Sequence, residues 1–258
     1  MIETESRMKV TRIIFSPTGG TDRVLDAMLQ GKKIIENKVD LSDKDIEFDK
    51  VWIDEDSLVF IAVPSYSGRA PEVSMERLAK IKGNHAKCVL VVSYGNREYE
   101  DTLVEMYDVA VACGFTPIAA VAGIAEHSVD REIAKGRPDS TDVEVLKQFG
   151  DKVIAGMNSA EQLKQLPGNR PYKGAPTGSN CPQASDACVK CGICKHKCPV
   201  DAIDDEMKGN PDKCASCMRC IAVCPVAARA LDAATTERIH NYLYTNCRVR
   251  KEPELFLN

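Results

Sequence analysis

The sequence predicts an α/β fold: a doubly wound, five-stranded parallel sheet followed by a small α+β domain organised by cysteine. Three observations predict it. From the N-terminus as far as Gln165, continuous Val/Ile/Leu runs alternate with segments of helical spacing, the pattern of a parallel sheet covered on both faces. Leu166–Asp186 is then rich in Pro, Gly, Ser and Asn and reads as a linker with little regular structure. Ten of the 12 cysteines lie beyond Asn180. The expected units are therefore 1–165, a linker at 166–186, a cysteine domain at 187–230, and a helix and tail at 231–258.

The elements follow in order. Val10–Phe15 is the first strand, and Thr21–Glu36 reads as a helix with Val24, Leu25, Met28, Leu29 and Ile35 on one face. Lys38–Ser42 supplies the second strand, Ser57–Val63 the third, Cys88–Ser93 the fourth and Thr116–Ile124 the fifth. Glu72–Ile81, Asp101–Ala112 and Thr141–Met157 carry helical spacing between and after them. One more helix is expected near Thr235–Thr245. The last residues include Leu255, Phe256 and Leu257. A free tail has little reason to be so apolar, so it is expected to dock back onto one of the domains.

Composition narrows the function. Of the 258 residues, 44% are hydrophobic and 28% charged, and the net charge is −4. This balance is that of a globular domain and offers no basic stripe for nucleic acid. The N-terminus has no apolar leader segment, and no run is long enough to span a bilayer, so the expectation is a cytoplasmic protein.

The cysteines carry the strongest signal. "CVKCGICKHKCPVDAI" begins at Cys188 and "CASCMRCIAVCPVAAR" at Cys214, an internal repeat whose two copies align without gaps. Each is C-x2-C-x2-C-x3-C-P. In such a run three cysteines wrap one 4Fe–4S cluster, and the fourth, before proline, turns to the other cluster. One cluster would take Cys188, Cys191, Cys194 and Cys224, and the other Cys214, Cys217, Cys220 and Cys198. Zinc is the alternative, since it also takes four thiolates, but zinc sites usually separate two pairs. Cys181 and Cys247 fall outside the pattern and read as plain thiols.

Three loops at expected strand ends point to a second ligand. "SPTGGT" follows the first strand and opens a helix, where backbone N–H groups favour an anion. Its glycines let the backbone approach a phosphate, and its hydroxyls add donors. It is neither a Walker loop nor a dinucleotide fingerprint. A helix cap with a convenient turn is the plain alternative. "VPSYSGRAPE" (Val63–Glu72) and "SYGNREYED" (Ser93–Asp101) follow the third and fourth strands and bring Tyr66, Tyr94 and Tyr99. Aromatic faces and backbone amides together suit a flat ring system. His127, after the fifth strand, could reach the same place or be a packing histidine.

Cys188–Arg229 resembles a bacterial two-cluster ferredoxin, and the three loops with the five-strand pattern resemble a flavodoxin. Together they resemble flavodoxin–ferredoxin fusions, the EFR-type ferredoxin family. The resemblance implies FMN and two 4Fe–4S clusters. Ser16, Thr18, Gly19, Gly20 and Thr21 would hold the phosphate of FMN. Pro64, Ser65, Tyr66, Ser67 and Gly68 would lie along the flavin, as would Tyr94, Gly95, Asn96, Arg97 and Tyr99. Many flavodoxins stack a tryptophan there, but the single Trp52 lies in neither loop. Arg69 and Arg97 also depart from acidic flavodoxin loops.

Such a chain is expected to pass electrons at low potential between its clusters and FMN, coupling one- and two-electron redox partners. The alternative is a flavin-dependent oxidoreductase that reduces a small quinone- or nitro-type acceptor with electrons delivered through the clusters. The absence of a dinucleotide fingerprint or an acid–base constellation favours the carrier.

Overall fold

The computed structural model describes residues 7–175 and 179–258. The start of the N-terminal segment (1–6) and part of the predicted linker (176–178) lie outside the described residues.

Strands β1 (Met8–Ile14), β2 (Ile34–Asp40), β3 (Leu58–Pro64), β4 (Lys87–Tyr94) and β5 (Thr116–Ile124) form a parallel sheet in the order β2-β1-β3-β4-β5. This is the flavodoxin-like order, with its switch point between β1 and β3. Alternation along the strands divides the core. Ile13, Ile61, Leu90 and Ala122 face one side, with Leu78 and Met106 from helices α2 (Glu72–Leu78) and α3 (Thr102–Ala112). Ile14, Phe60, Val91 and Val121 face the other, under α1 (Gly20–Leu29) and α4 (Ser140–Gly156). A 3-10 turn at Phe48–Lys50 packs Phe48 into the first core.

The structure changes the sequence reading in one helix boundary and adds a strand. The first helix ends at Leu29, not Glu36, because Gly31 takes a left-handed conformation (φ 76°), the usual helix stop. Ile35 therefore lies in edge strand β2, where it is 56% exposed. The second change is an addition. After α7 (Ala233–Asn246), strand β8 (Glu254–Phe256) joins β5 antiparallel, so the sheet has six strands.

The cysteine region contributes β6 (Gln183–Ala184), α5 (Ile193–His196), α6 (Arg219–Ala222) and β7 (Arg229–Ala230), with β6 and β7 paired antiparallel. The sequence repeat recurs in the backbone. Lys190 and Ser216 are left-handed, as are Gly192 and Met218, and Asp201 and Ala227; each pair occupies equivalent positions of the two runs. The amide of Ala202 donates to Cys198 Sγ and that of Ala228 to Cys224 Sγ, both at 3.2 Å.

This region sits on the C-terminal edge of the sheet. Arg77 donates to Leu41 O (2.7 Å) and Pro199 O (2.6 Å), joining sheet and module. Arg219 bonds Ser42, and Lys44 pairs with Asp201. Cys217 packs within the sheet's own apolar core. The predicted linker has little regular structure but is pinned along α3: Asn169 and Lys173 amides donate to Asp101, and Arg170 pairs with Asp108.

Candidate functional site

A cavity of about 1090 Å³ lies where the strand-end loops, the cysteine module and α7 meet. Its floor is the C-terminal edge of the sheet, the ligand position of open α/β folds. Ser16, Thr18, Gly20 and Thr21 line one end. Gly19 is the residue before α1, with φ +83°, a conformation glycine adopts without cost. Among the described residues, the amides of Gly20 and Thr21 have no protein acceptor, as expected for the first turn of a helix. Ser16 Oγ accepts from the Asp22 amide (3.0 Å), and the Thr21 and Ser93 hydroxyls bond at 2.8 Å. The Thr18 hydroxyl stays available to a ligand.

Pro64, Ser65, Tyr66 and Ser67 also line the cavity, as do Tyr94, Gly95 and Arg97. The Tyr66–Arg69 turn is closed by two backbone hydrogen bonds, with Ser67 and Gly68 left-handed. Tyr66 is half-buried beside Cys217; burial first, and then that thiol, push its phenol well above the usual value. Tyr94 packs edge-on against Tyr99, with ring centroids 5.2 Å apart. Gly95 is required by space: a Cβ there would lie 2.3 Å from the His127 ring.

Four of the sequence-predicted residues do not line the cavity. Gly19 and Gly68 shape their loops from behind it. Asn96 and Tyr99 hold the C-terminal segment instead. Asn96 donates to Cys247 O (2.6 Å) and Val249 O (2.8 Å), and accepts from the Lys251 amide (3.3 Å). The Tyr99 hydroxyl donates to Glu254 (2.8 Å). The two arginines singled out are both matched by carboxylates. Arg69 makes two 2.8 Å bonds to Glu105, and Arg97 contacts Glu100 at 3.1 Å. Trp52 is 77% exposed and outside the lining.

His127 belongs to the cavity. Its Nδ1 accepts from the amides of Val129 and Asp130, both at 3.2 Å. That fixes the proton of the neutral ring on Nε2. Burial lowers its pKa to about 4, against the opposing pull of Asp130. One wall was not legible in the sequence: Thr235, Arg238, Ile239, Tyr242 and Leu243 of α7 line the cavity.

Four of the motif cysteines meet at one place. Cys198, Cys214, Cys217 and Cys220 line one small cavity together with Cys181 and Arg229. Cys214 also lines the large cavity, so the two share a wall. Cys188, Cys191, Cys194 and Cys224 lie away from that wall, and Cys191 is exposed. Among the described residues, no three His, Cys, Asp or Glu side chains converge on a single-ion site. Cys181, outside the motif, is thus a neighbour of one cage; burial, and then Cys214, raise its thiol. Cys247 is buried with Ile133 and Leu243.

Residues 185–204 and 207–230 match the family model of the 4Fe-4S binding domain. The chain therefore carries a 4Fe–4S binding domain beside a sheet of flavodoxin-like strand order. The flavodoxin of Streptococcus pneumonia TIGR4 aligns with 57% of this chain and 98% of its own, at 19% identity and a TM-score of 0.38. A flavodoxin from the domain Archaea aligns with 58% of this chain and 99% of its own, at 13% identity and a TM-score of 0.40. Rubredoxin oxygen:oxidoreductase from the anaerobe Desulfovibrio gigas aligns with 60% of this chain and 38% of its own, at 14% identity and a TM-score of 0.42. No curated protein matches the chain. Among the described residues, no helix is long and apolar enough to cross a membrane.

Proposed function

We propose that the chain is an electron carrier that holds FMN in the large cavity and two 4Fe–4S clusters in the cysteine cages, and exchanges electrons with separate redox partners. The observation that carries this reading is the shared wall: Cys214 borders both the cavity at the sheet edge and a four-cysteine cage. When bound, FMN accepts one or two electrons and each cluster passes one.

The residues present fit these groups. The cavity has the mixed polar and apolar lining of a ligand site. Unpartnered amides at Gly20 and Thr21, with the Thr18 hydroxyl, suit a phosphate monoester. Tyr66 and Tyr94 offer aromatic faces, and His127 offers an Nε2–H donor. Cys188, Cys191, Cys194 and Cys224 would hold one cluster, and Cys214, Cys217, Cys220 and Cys198 the other. Arg229 has a buried donor with no protein acceptor at the cages. In this reading the second cage adjoins the flavin site, and the first, with exposed Cys191, meets partners.

A size argument favours the second reading, reduction of a small quinone- or nitro-type acceptor: the cavity lies just above the ordinary range for a single ligand.

Protein purified without oxygen should be assayed together for iron, sulfide, zinc and FMN. About eight irons and one FMN per chain are expected. Zinc in place of iron, or iron without flavin, refutes the reading. Steady turnover of a small acceptor at rates comparable to transfer between proteins would favour the enzyme over the carrier.

A further inference from the structure

Among the described residues, three arginines are almost wholly buried: Arg12, Arg137 and Arg229. Two have carboxylate partners. Arg12 meets Asp26 and Glu36, and Arg137 meets Asp142. Arg229 is the most buried of the three, at 3% exposure, and among the described residues no carboxylate pairs with it. It donates to Met207 O (2.8 Å) and Pro182 O (2.5 Å), both neutral. Its Nε is buried without an acceptor. A guanidinium stays charged, and a buried charge without a counter-charge is strongly unfavourable.

What surrounds it instead is sulfur. Arg229 Nη1 lies 3.8 Å from Cys194 Sγ, a member of the first cage. The same residue lines the small cavity of the second cage, beside Cys220. The internal repeat sharpens the point. The equivalent residue of the first run is Ile203, apolar and also in that lining. The two halves thus match in their backbone turns and amide–sulfur bonds, but at this buried position one carries an apolar side chain and the other a charge.

We propose that Arg229 is the counter-cation shared by both clusters. This rests on the iron–sulfur reading above. Cysteines that ligate iron are thiolates, so each loaded cage is anionic. Reduction adds one more negative charge to a cage, and a fixed buried cation stabilises that charge with little screening from solvent. Hydrogen bonds to ligand sulfur act in the same direction. Arg229 therefore raises the reduction potential of both clusters, and its Nε finds an acceptor only when the cages are loaded.

The test is an EPR-monitored redox titration of the full chain, prepared without oxygen, with iron counted on the same samples. Arg229→Gln removes the charge, and Arg229→Lys keeps it without the planar fork. With iron content intact, Arg229→Gln should move both cluster potentials to more negative values, and Arg229→Lys should restore a part of the shift in both. Unchanged potentials would overturn the proposal, and so would a shift in one cluster only. If Arg229→Gln does not load iron, Arg229→Lys decides: loading supports the charge, and failure to load refutes it in favour of shape. Wild-type protein without iron would instead defeat the iron–sulfur reading itself.

Discussion

Replacing Asn96 should free the C-terminal segment that follows α7. Asn96 is 3% exposed and makes three hydrogen bonds to residues 247–251, at 2.6, 2.8 and 3.3 Å. Each such bond contributes about 0.5–1.5 kcal/mol, and the carbonyls left behind lose their donor, so removal costs roughly 2–4 kcal/mol. Asn96 is also left-handed, at φ 62°, which alanine tolerates less well than glycine by about 1 kcal/mol. Asn96→Gly isolates the lost bonds, and Asn96→Ala adds the backbone strain. The assay is native-state hydrogen exchange across residues 243–251, which reads local opening rather than global unfolding. For Asn96→Gly the opening constant should rise about 30- to 700-fold, since every 1.4 kcal/mol is tenfold. Asn96→Ala should exceed it by about fivefold. Acceleration under threefold in both variants would refute the clamp, because Lys251–Glu98, Arg250–Asp139 and Tyr99–Glu254 would then suffice. Equal effects of the two variants would refute the strain argument alone.

Lowering the pH should destabilise the fold through His127, whose folded pKa is depressed to about 4. Its unfolded value is about 6.5, so the unfolded chain binds the extra proton first. The contribution is full above about 6.5 and is lost as pH falls towards 4, at most about 3 kcal/mol before solvent screening; urea unfolding of His127→Gln at a series of pH values should flatten this slope, and an unaltered slope counts against it. Gly95→Ala drives a Cβ to within 2.3 Å of the His127 ring and should weaken FMN binding at least tenfold, read by flavin fluorescence titration, with far-UV CD unchanged; wild-type affinity would show that the cradle is not the flavin site. Cys191→Ser and Cys217→Ser should each lower iron from about eight to about four per chain. Only Cys217 packs into the sheet core, so only that variant should also speed proteolysis between the domains.

The parallel strands were legible because burial on both faces leaves uninterrupted Val/Ile/Leu runs, as in Leu58–Pro64 and Lys87–Tyr94. The second strand was misplaced because an edge strand lacks that signature: four of its seven residues are exposed. The cysteine spacing carried its repeat faithfully into the backbone, since each left-handed turn of the first run recurs at the matching position of the second. The loop motifs border the cavity, but not every residue in them lines it. Asn96 and Tyr99 have the right chemistry for a ligand, yet face a segment at the far end of the chain.

The sequence by itself determined the local facts: strand periodicity, the glycine-rich turn before α1 and the tandem cysteine runs. These depend on neighbours close along the chain, where spacing and backbone geometry suffice. Tertiary structure alone decided the pairing of distant groups. It set Cys214 in the wall of the sheet's cavity, brought α7 into its lining and added β8 to β5. It also left Arg229 buried beside cysteines of both runs, with no carboxylate partner among the described residues. Burial and counter-charge are properties of what packs around a residue, and no spacing in the chain encodes them locally.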